Sequence, residues 1–253
     1  APAEGAPCWL DLASPDVEAA AAFYARLFGW DYEISGPEFG HYHMARLDGR
    51  PVAGLGQMQD ASHGPSTWAV YLHAKDVNAA AAEAARLGGT TLAGPMEIPG
   101  QGHLAVVQDP VGAIFGLWQP TGHQGFGITH EPGAYGWSEA NVPDVEAAGA
   151  FYTALTGGTR RTLEDDAMPT RYDVVSVGGR VAFGLLQMNA AWEGVPPHWM
   201  AYFEVDDCDA VAAEAESAGG SVSVPPFDST YGRIAVVTDP FGAVFSINQT
   251  DSA

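Results

Sequence analysis

The chain has 253 residues, 47% of them hydrophobic, and its 31 acidic against 10 basic side chains leave a net charge of −21. That length and apolar content allow one large or two ordinary domains with real cores. The charge repels nucleic acid and anionic membrane, so neither is an expected partner, and leaves two readings, solubility or attraction of a cationic ligand.

No apolar run approaches the roughly 20 residues a membrane-spanning helix needs. The stretch Ala1 to Gly5 has neither a basic nor an apolar leader character. Cys8 and Cys208 lack metal-type spacing and read as reduced, buried thiols of a cytoplasmic protein.

An apolar run, Cys8 to Leu12, leads into the first predicted helix, Asp16 to Phe28. Val17, Ala20, Ala21, Tyr24, Leu27 and Phe28 recur with the 3.6-residue period of one helix face. Pro15 suits the first turn, Asp16 and Glu18 favour its positive end, and Gly29 supplies a left-handed stop. Strand-like pieces follow at Tyr42 to Leu47 and Val52 to Met58. The run Trp68 to His73 then leads to a second helix, where Val77, Ala80, Ala81, Ala84 and Leu87 keep helical spacing before Gly88-Gly89. Leu104 to Gln108, a type I turn at Asp109-Pro110-Val111-Gly112 and Ala113 to Trp118 close the pattern. Each half of it reads strand–helix–strand–strand, with one further short strand expected in the irregular segments Asp31 to Phe39 or Thr90 to Ile98.

The whole pattern then recurs. Pro143-Asp144-Val145-Glu146 through Phe151-Tyr152 repeats Pro15-Asp16-Val17-Glu18 through Phe23-Tyr24 at an offset of 128 residues. Trp199-Met200-Ala201-Tyr202 matches Trp68-Ala69-Val70-Tyr71, and Asp239-Pro240-Phe241-Gly242 matches Asp109-Pro110-Val111-Gly112. Two homologous domains are expected, 1–120 and 133–253, with 121–132 as linker. Helices are too few to separate every pair of strands, which predicts an α+β class with mostly antiparallel sheet.

Asp16 followed by Phe23-Tyr24 and Leu27-Phe28-Gly29, with the two Asp-Pro-x-Gly turns, resembles the vicinal oxygen chelate superfamily of glyoxalases, extradiol dioxygenases and fosfomycin- and bleomycin-resistance proteins. More closely, the chain resembles two-domain actinobacterial members labelled hydroxylase or glyoxalase-like. The resemblance implies tandem duplicated domains, each of two βαβββ modules forming a curved, antiparallel-rich sheet cup. It also implies where a metal would be held. The corresponding positions carry Trp9, Ala69, Trp137 and Met200 on the leading strands, Gly116 and Ser246 on the closing strands, and Gly54 and Gly184 at the remaining strand ends. None is a good ligand for a divalent ion, so no metal or other cofactor is expected. The alternative is a relocated site on His41 and His43, placed on one strand face by the period of two, with His103 or Asp48 as third ligand. His63, His123, His130 and His198 read as solvated loop residues.

On the family register, the cups are lined by Trp9 with Asp11, Tyr71 with His73, and Trp118 in the first domain. Trp137 with Glu139, Tyr202 with Glu204, and Asn248 line the second. Trp9, Tyr71, Trp118, Trp137, Tyr202 and Asn248 are therefore candidate ligand contacts, and Asp11, His73, Glu139 and Glu204 candidate acid–base groups. The plainer alternative makes the aromatics core and the acids water-exposed strand ends. Three functions follow: a metal-independent binding protein for an aromatic or cationic metabolite or antibiotic; a hydroxylase-like or lyase enzyme using carboxylate and His; or a metal-dependent glyoxalase or dioxygenase with relocated ligands. The expected partner is a small molecule, and the chain is either a monomer with an internal pseudo-twofold or a homodimer.

Overall fold

Asp16 stands ahead of the first helix as its N-cap. Its side chain accepts a hydrogen bond from the Ala19 amide at 3.0 Å, and α1 runs Val17–Phe28 until Gly29, at φ 70°, turns the chain away. Pro15 thus lies outside the helix. The second copy is built alike, with Asp144 capping α3 (Val145–Thr156) and Gly157 at φ 64° ending it. Asp76 caps α2 (Val77–Arg86) and Asp207 caps α4 (Cys208–Ser217). An aspartate at each helix start satisfies an orphan amide and sets negative charge at the positive end of the dipole.

The computed structural model describes residues 2–58, 65–164 and 170–250. His63 lies outside them. Two eight-stranded open sheets form. The first has the order β2 (Asp31–Ile34), β3 (His43–Leu47), β4 (Arg50–Gln57), β1 (Pro7–Ser14), β5 (Thr67–His73), β8 (Ile114–Pro120), β7 (Gly102–Gln108), β6 (Thr90–Ile98). The second repeats it as β10 (Thr159–Thr162), β11 (Tyr172–Val177), β12 (Arg180–Gln187), β9 (Tyr135–Val142), β13 (His198–Glu204), β16 (Val244–Gln249), β15 (Gly232–Thr238), β14 (Ser221–Ser229). β1 runs parallel to β4 and β5 to β8, while the hairpin neighbours are antiparallel. The fold is α+β with two tandem copies, and both irregular segments form strands, as β2 and β6. Among the described residues no helix is long and apolar enough to cross a membrane.

By internal contacts the chain divides into two compact units, and these do not follow the sequence halves. Unit 1 comprises Ala1–Trp9, Val70–Gly125 and Ser138–Met200; unit 2 comprises Leu10–Ala69, Phe126–Trp137 and Ala201–Ala253.

In unit 2 the fully buried Tyr24 of α1 donates its hydroxyl to Asp239 Oδ2 at 3.0 Å and accepts from Trp68 Nε1 at 3.0 Å. Phe28, Trp30 and Phe245 pack around its ring. Asp239 Oδ1 accepts from the amides of Phe241 and Ala243 in its own turn.

Unit 1 has the same construction. Tyr152 of α3 donates to Asp109 Oδ2 at 2.8 Å, accepts from Trp199 Nε1 at 2.9 Å, and packs on Phe115, Phe151 and Phe183. Burial pushes both phenols well above their usual range, and it raises both carboxyls too. A hydrogen bond to a charged group contributes about 1.5–3 kcal/mol net. The helix tyrosine and the turn aspartate of the sequence motifs are thus structural partners. The tyrosine of each repeat meets the aspartate of the other, which is why each unit draws on both.

Residues of the segment expected as linker make specific contacts within each unit. In unit 1 His123 sets its ring edge-on to Trp9 with centroids 4.2 Å apart, which corrects its reading as solvated. In unit 2 Phe126 stacks on Tyr135 at 4.7 Å and the Gly127 amide donates to the Pro51 carbonyl at 2.7 Å.

Candidate functional site

Leu10 and Leu12 of β1 are fully buried in the core, so the pleat turns Trp9 and Asp11 to the opposite face. In unit 2 the register of β1 on β4 sets Asp11 beside Gly54. The Tyr42 hydroxyl lies over Gly54: a Cβ at that position would overlap the phenol oxygen and stand 2.9 Å from Asp11 Oδ1. Asp11 Oδ1 is buried without a hydrogen-bond partner among the described residues, and the Tyr42 phenol favours the charged form of the carboxyl. Burial nevertheless pushes this carboxyl up to about 6, the tyrosine offsetting only part of the effect.

Unit 1 carries the same constellation. Glu139 of β9, buried, pairs in register with Gly184 of β12, and the Tyr172 hydroxyl covers Gly184 so that a Cβ would overlap it. Each repeat therefore presents an acid, a tyrosine and a glycine with no room for a side chain.

Tyr42 and Tyr172 were absent from the residues singled out by sequence. The signal lay in the pairing of His41-Tyr42-His43 with Arg171-Tyr172-Asp173, where the central tyrosine alone is shared. The flanking histidines do not share a strand face. His41 sits in a left-handed turn at φ 56°, ahead of β3, where the period of two does not apply. His43 is buried with Nε2 3.3 Å from Glu18 on α1 and Nδ1 2.8 Å from the His41 carbonyl. Of the expected third ligands, His103 belongs to unit 1 and Asp48 to unit 2, the unit of His41 and His43. His103 pairs with Gln119, whose Oε1 accepts from the Val77 amide at the start of α2. Asp48 lies in a turn at φ 50° with its carboxylate 3.7 Å from Arg50.

The remaining candidates fall into local groups. In unit 1 Trp118 lies 5.7 Å from His123 and donates Nε1–H to its carbonyl at 3.0 Å, so His123 bridges Trp118 and Trp9. The Tyr71 ring covers Gly116, its register partner, and the half-buried His73 pairs with Trp118. Trp9, Tyr71 and Trp118 are 4%, 8% and 7% exposed, so in this conformation they pack as core while lying on the predicted face.

In unit 2 Glu204 pairs with Asn248 and Tyr202 with Ser246. Asn248 Nδ2 donates to Glu204 Oε1 at 3.4 Å and the Thr250 hydroxyl donates to Oε2 at 2.9 Å. Trp137 is half-buried in the same unit. Asp11 and His73 belong to different units, as do Glu139 and Glu204.

A model of the Glyoxalase/Bleomycin resistance protein/Dioxygenase superfamily matches residues 134–247, and one of a glyoxalase-like domain matches 9–118. The chain is 38% identical over 249 residues to the putative glyoxylase CFP32 of Mycobacterium bovis, covering 96% of this chain and 94% of that one. It is 36% identical over 260 residues to the anthracycline biosynthesis protein DnrV of Streptomyces peucetius, covering 97% and 93%. Among solved structures, the Mn(II)-bound glyoxalase from Novosphingobium aromaticivorans matches 98% of this chain and 82% of its own at a TM-score of 0.67 and 16% identity. The 2,3-dioxygenase LapB from Pseudomonas sp. KL28 matches 98% and 93% at 0.67 and 12% identity, a likeness of fold. Duplicated in sequence, in strand order and in its acid–tyrosine–glycine groups, the chain belongs to the glyoxalase/bleomycin resistance protein/dioxygenase superfamily.

Proposed function

We propose that this chain binds an aromatic small molecule, a metabolite or antibiotic, without using a metal at the family position. The observation that carries the reading is the tyrosine laid over glycine. A divalent ion takes imidazole, carboxylate or thiolate, whereas the eight family positions hold tryptophan, alanine, methionine, serine and glycine. At three of them, Gly54, Gly116 and Gly184, a tyrosine fills the space a ligand side chain would need. These residues do not fit a metal. Aromatic side chains with a few polar groups suit a flat, apolar ligand. The similarity to an anthracycline biosynthesis protein supports a fused-ring aromatic, and the net charge of −21 supports a cationic one.

A second reading, acid–base catalysis on such a ligand, is favoured by one observation. Burial holds Asp11 at about 6, where a carboxyl exchanges protons near neutral pH beside a phenol that can orient the substrate. The experiment is a fluorescence titration with an anthracycline, combined with elemental analysis and mass spectrometry of the recovered ligand. Saturable binding without stoichiometric metal is expected. A ligand returned altered selects the enzyme; tightly bound stoichiometric metal, or no binding, overturns the proposal.

A further inference from the structure

A polar pair on the helix-averted face of β9 belongs to the second repeat alone. Asn141 lies two residues beyond Glu139, so the pleat sends both side chains to one face, and Asn141 is 1% exposed. His198, the first residue of β13, approaches it in unit 1. The corresponding residues of the first repeat are Ala13 and Thr67.

Hydrogen-bond logic fixes both groups. His198 Nδ1 lies 2.9 Å from the Pro196 carbonyl, which can only accept, so Nδ1 carries the proton. Burial lowers the affinity of this ring for a second proton, so Nε2 keeps its lone pair. Nε2 is 3.1 Å from Asn141 Nδ2, which must therefore donate. The amide is then oriented, and its oxygen points away from His198. Asn141 Oδ1 is buried and has no hydrogen-bond partner among the described residues. A buried acceptor without a donor is unfavourable, and in a native structure such a group marks strain, a catalytic role, or a place completed by a water or an ion. One feature suits a cationic donor: the Glu139 carboxylate shares the strand face.

We propose that Asn141 Oδ1 is the acceptor of a subsite for a primary ammonium group carried by the ligand, with Glu139 supplying the countercharge. This rests on the reading of the chain as a binder of aromatic small molecules and deepens it, since it predicts an amine on the aromatic and places it in the second repeat.

Three probes of equal size separate the two ideas: naphthylmethylammonium, naphthalenemethanol and ethylnaphthalene, titrated into the full chain by calorimetry. The ammonium probe is expected to bind about tenfold more tightly than ethylnaphthalene. Asn141→Leu should erase that advantage, and Asn141→Asp, which keeps an acceptor, should preserve or enlarge it. Equal affinity of the two probes, or an advantage that survives Asn141→Leu, overturns the subsite while binding of ethylnaphthalene leaves the aromatic reading standing. An advantage confined to the alcohol overturns the assignment to ammonium. Binding of none of the three removes both proposals. Nitrogen NMR of His198 supplies a test that no variant's folding can obscure: a proton on Nε2 rather than Nδ1 would reverse the amide, satisfy its oxygen and overturn the subsite.

Discussion

Replacing Asp11 by asparagine should stabilise the protein, and more so as pH rises. The amide keeps the shape of the carboxylate and stays beside Tyr42. What it removes is a buried group whose carboxyl is pushed from 3.8 in the unfolded chain to about 6 in the fold. A raised acid binds more protons folded than unfolded between those two values, so it contributes a penalty that is absent below the unfolded value. That penalty grows through the window and is complete above about 6. Two pKa units correspond to about 3 kcal/mol, a ceiling because the residue as a whole keeps some exposure although its Oδ1 is enclosed. The asparagine amide brings its own cost of about 1 kcal/mol if one N–H finds no acceptor, but that cost does not vary with pH.

The diagnostic is therefore the slope. Urea unfolding of both proteins between pH 4 and 8 should show the variant gaining on the parent by about 1–3 kcal/mol across the window and then holding level. In thermal scans at neutral pH each kcal/mol moves the midpoint by about 2–4 °C in a chain of this size. The same variant should bind ligand more weakly, because a site residue that destabilises its fold is kept for what it does. A stability difference that stays constant from pH 4 to pH 8 would falsify the placement of Asp11 as a buried acid.

Gly54→Ala and Gly184→Ala should each cost about 1–3 kcal/mol, because the new methyl overlaps the Tyr42 or Tyr172 hydroxyl. Chemical denaturation reads this, and recovery on adding Tyr42→Ala or Tyr172→Ala would identify the phenol as the obstacle. Tyr24→Phe and Tyr152→Phe should each cost about 1.5–3 kcal/mol, since each leaves a carboxylate short of a donor and a tryptophan N–H short of an acceptor. An unchanged urea midpoint in either would show that these bonds do not hold the units together. Glu18→Gln should change stability by less than about 1 kcal/mol, because Glu18 is 76% exposed although its partner His43 is buried; a larger loss would make the pair more than a surface contact.

Periodicity made the helices legible, since α1 buries its stripe as the spacing demands. The repeat made the module order legible, because several separate blocks recur with nearly one offset. β6 and β14 were less readable. Both bend through register shifts, and both hold proline, at Pro95 and at Pro225-Pro226, so alternation is broken along them. Asp11 and Glu139 could be placed on one strand face through the register that the family resemblance implies. Tyr42 was hidden by its neighbours: two histidines drew attention to a metal, although a left-handed turn at His41 takes that residue out of the strand. The partners of Asp109 and Asp239 were also unreadable. A turn aspartate bonding its own loop amides looks complete, and nothing local announces that its second oxygen accepts from a tyrosine in the other repeat.

Those exchanged tyrosine–aspartate bonds determine how the gene can be cut. A fragment ending within residues 121–132 keeps Tyr24 without Asp239 and Asp109 without Tyr152, so both aromatic cores are left half-built. Neither half should behave as a folded domain in isolation, but the two co-expressed should find each other and complement, since each of the two cores needs residues from both pieces. Mutational drift is constrained in the same way. A change in the helix of one copy must be answered in the turn of the other, so the two copies, once duplicated, evolve as partners and not as spares.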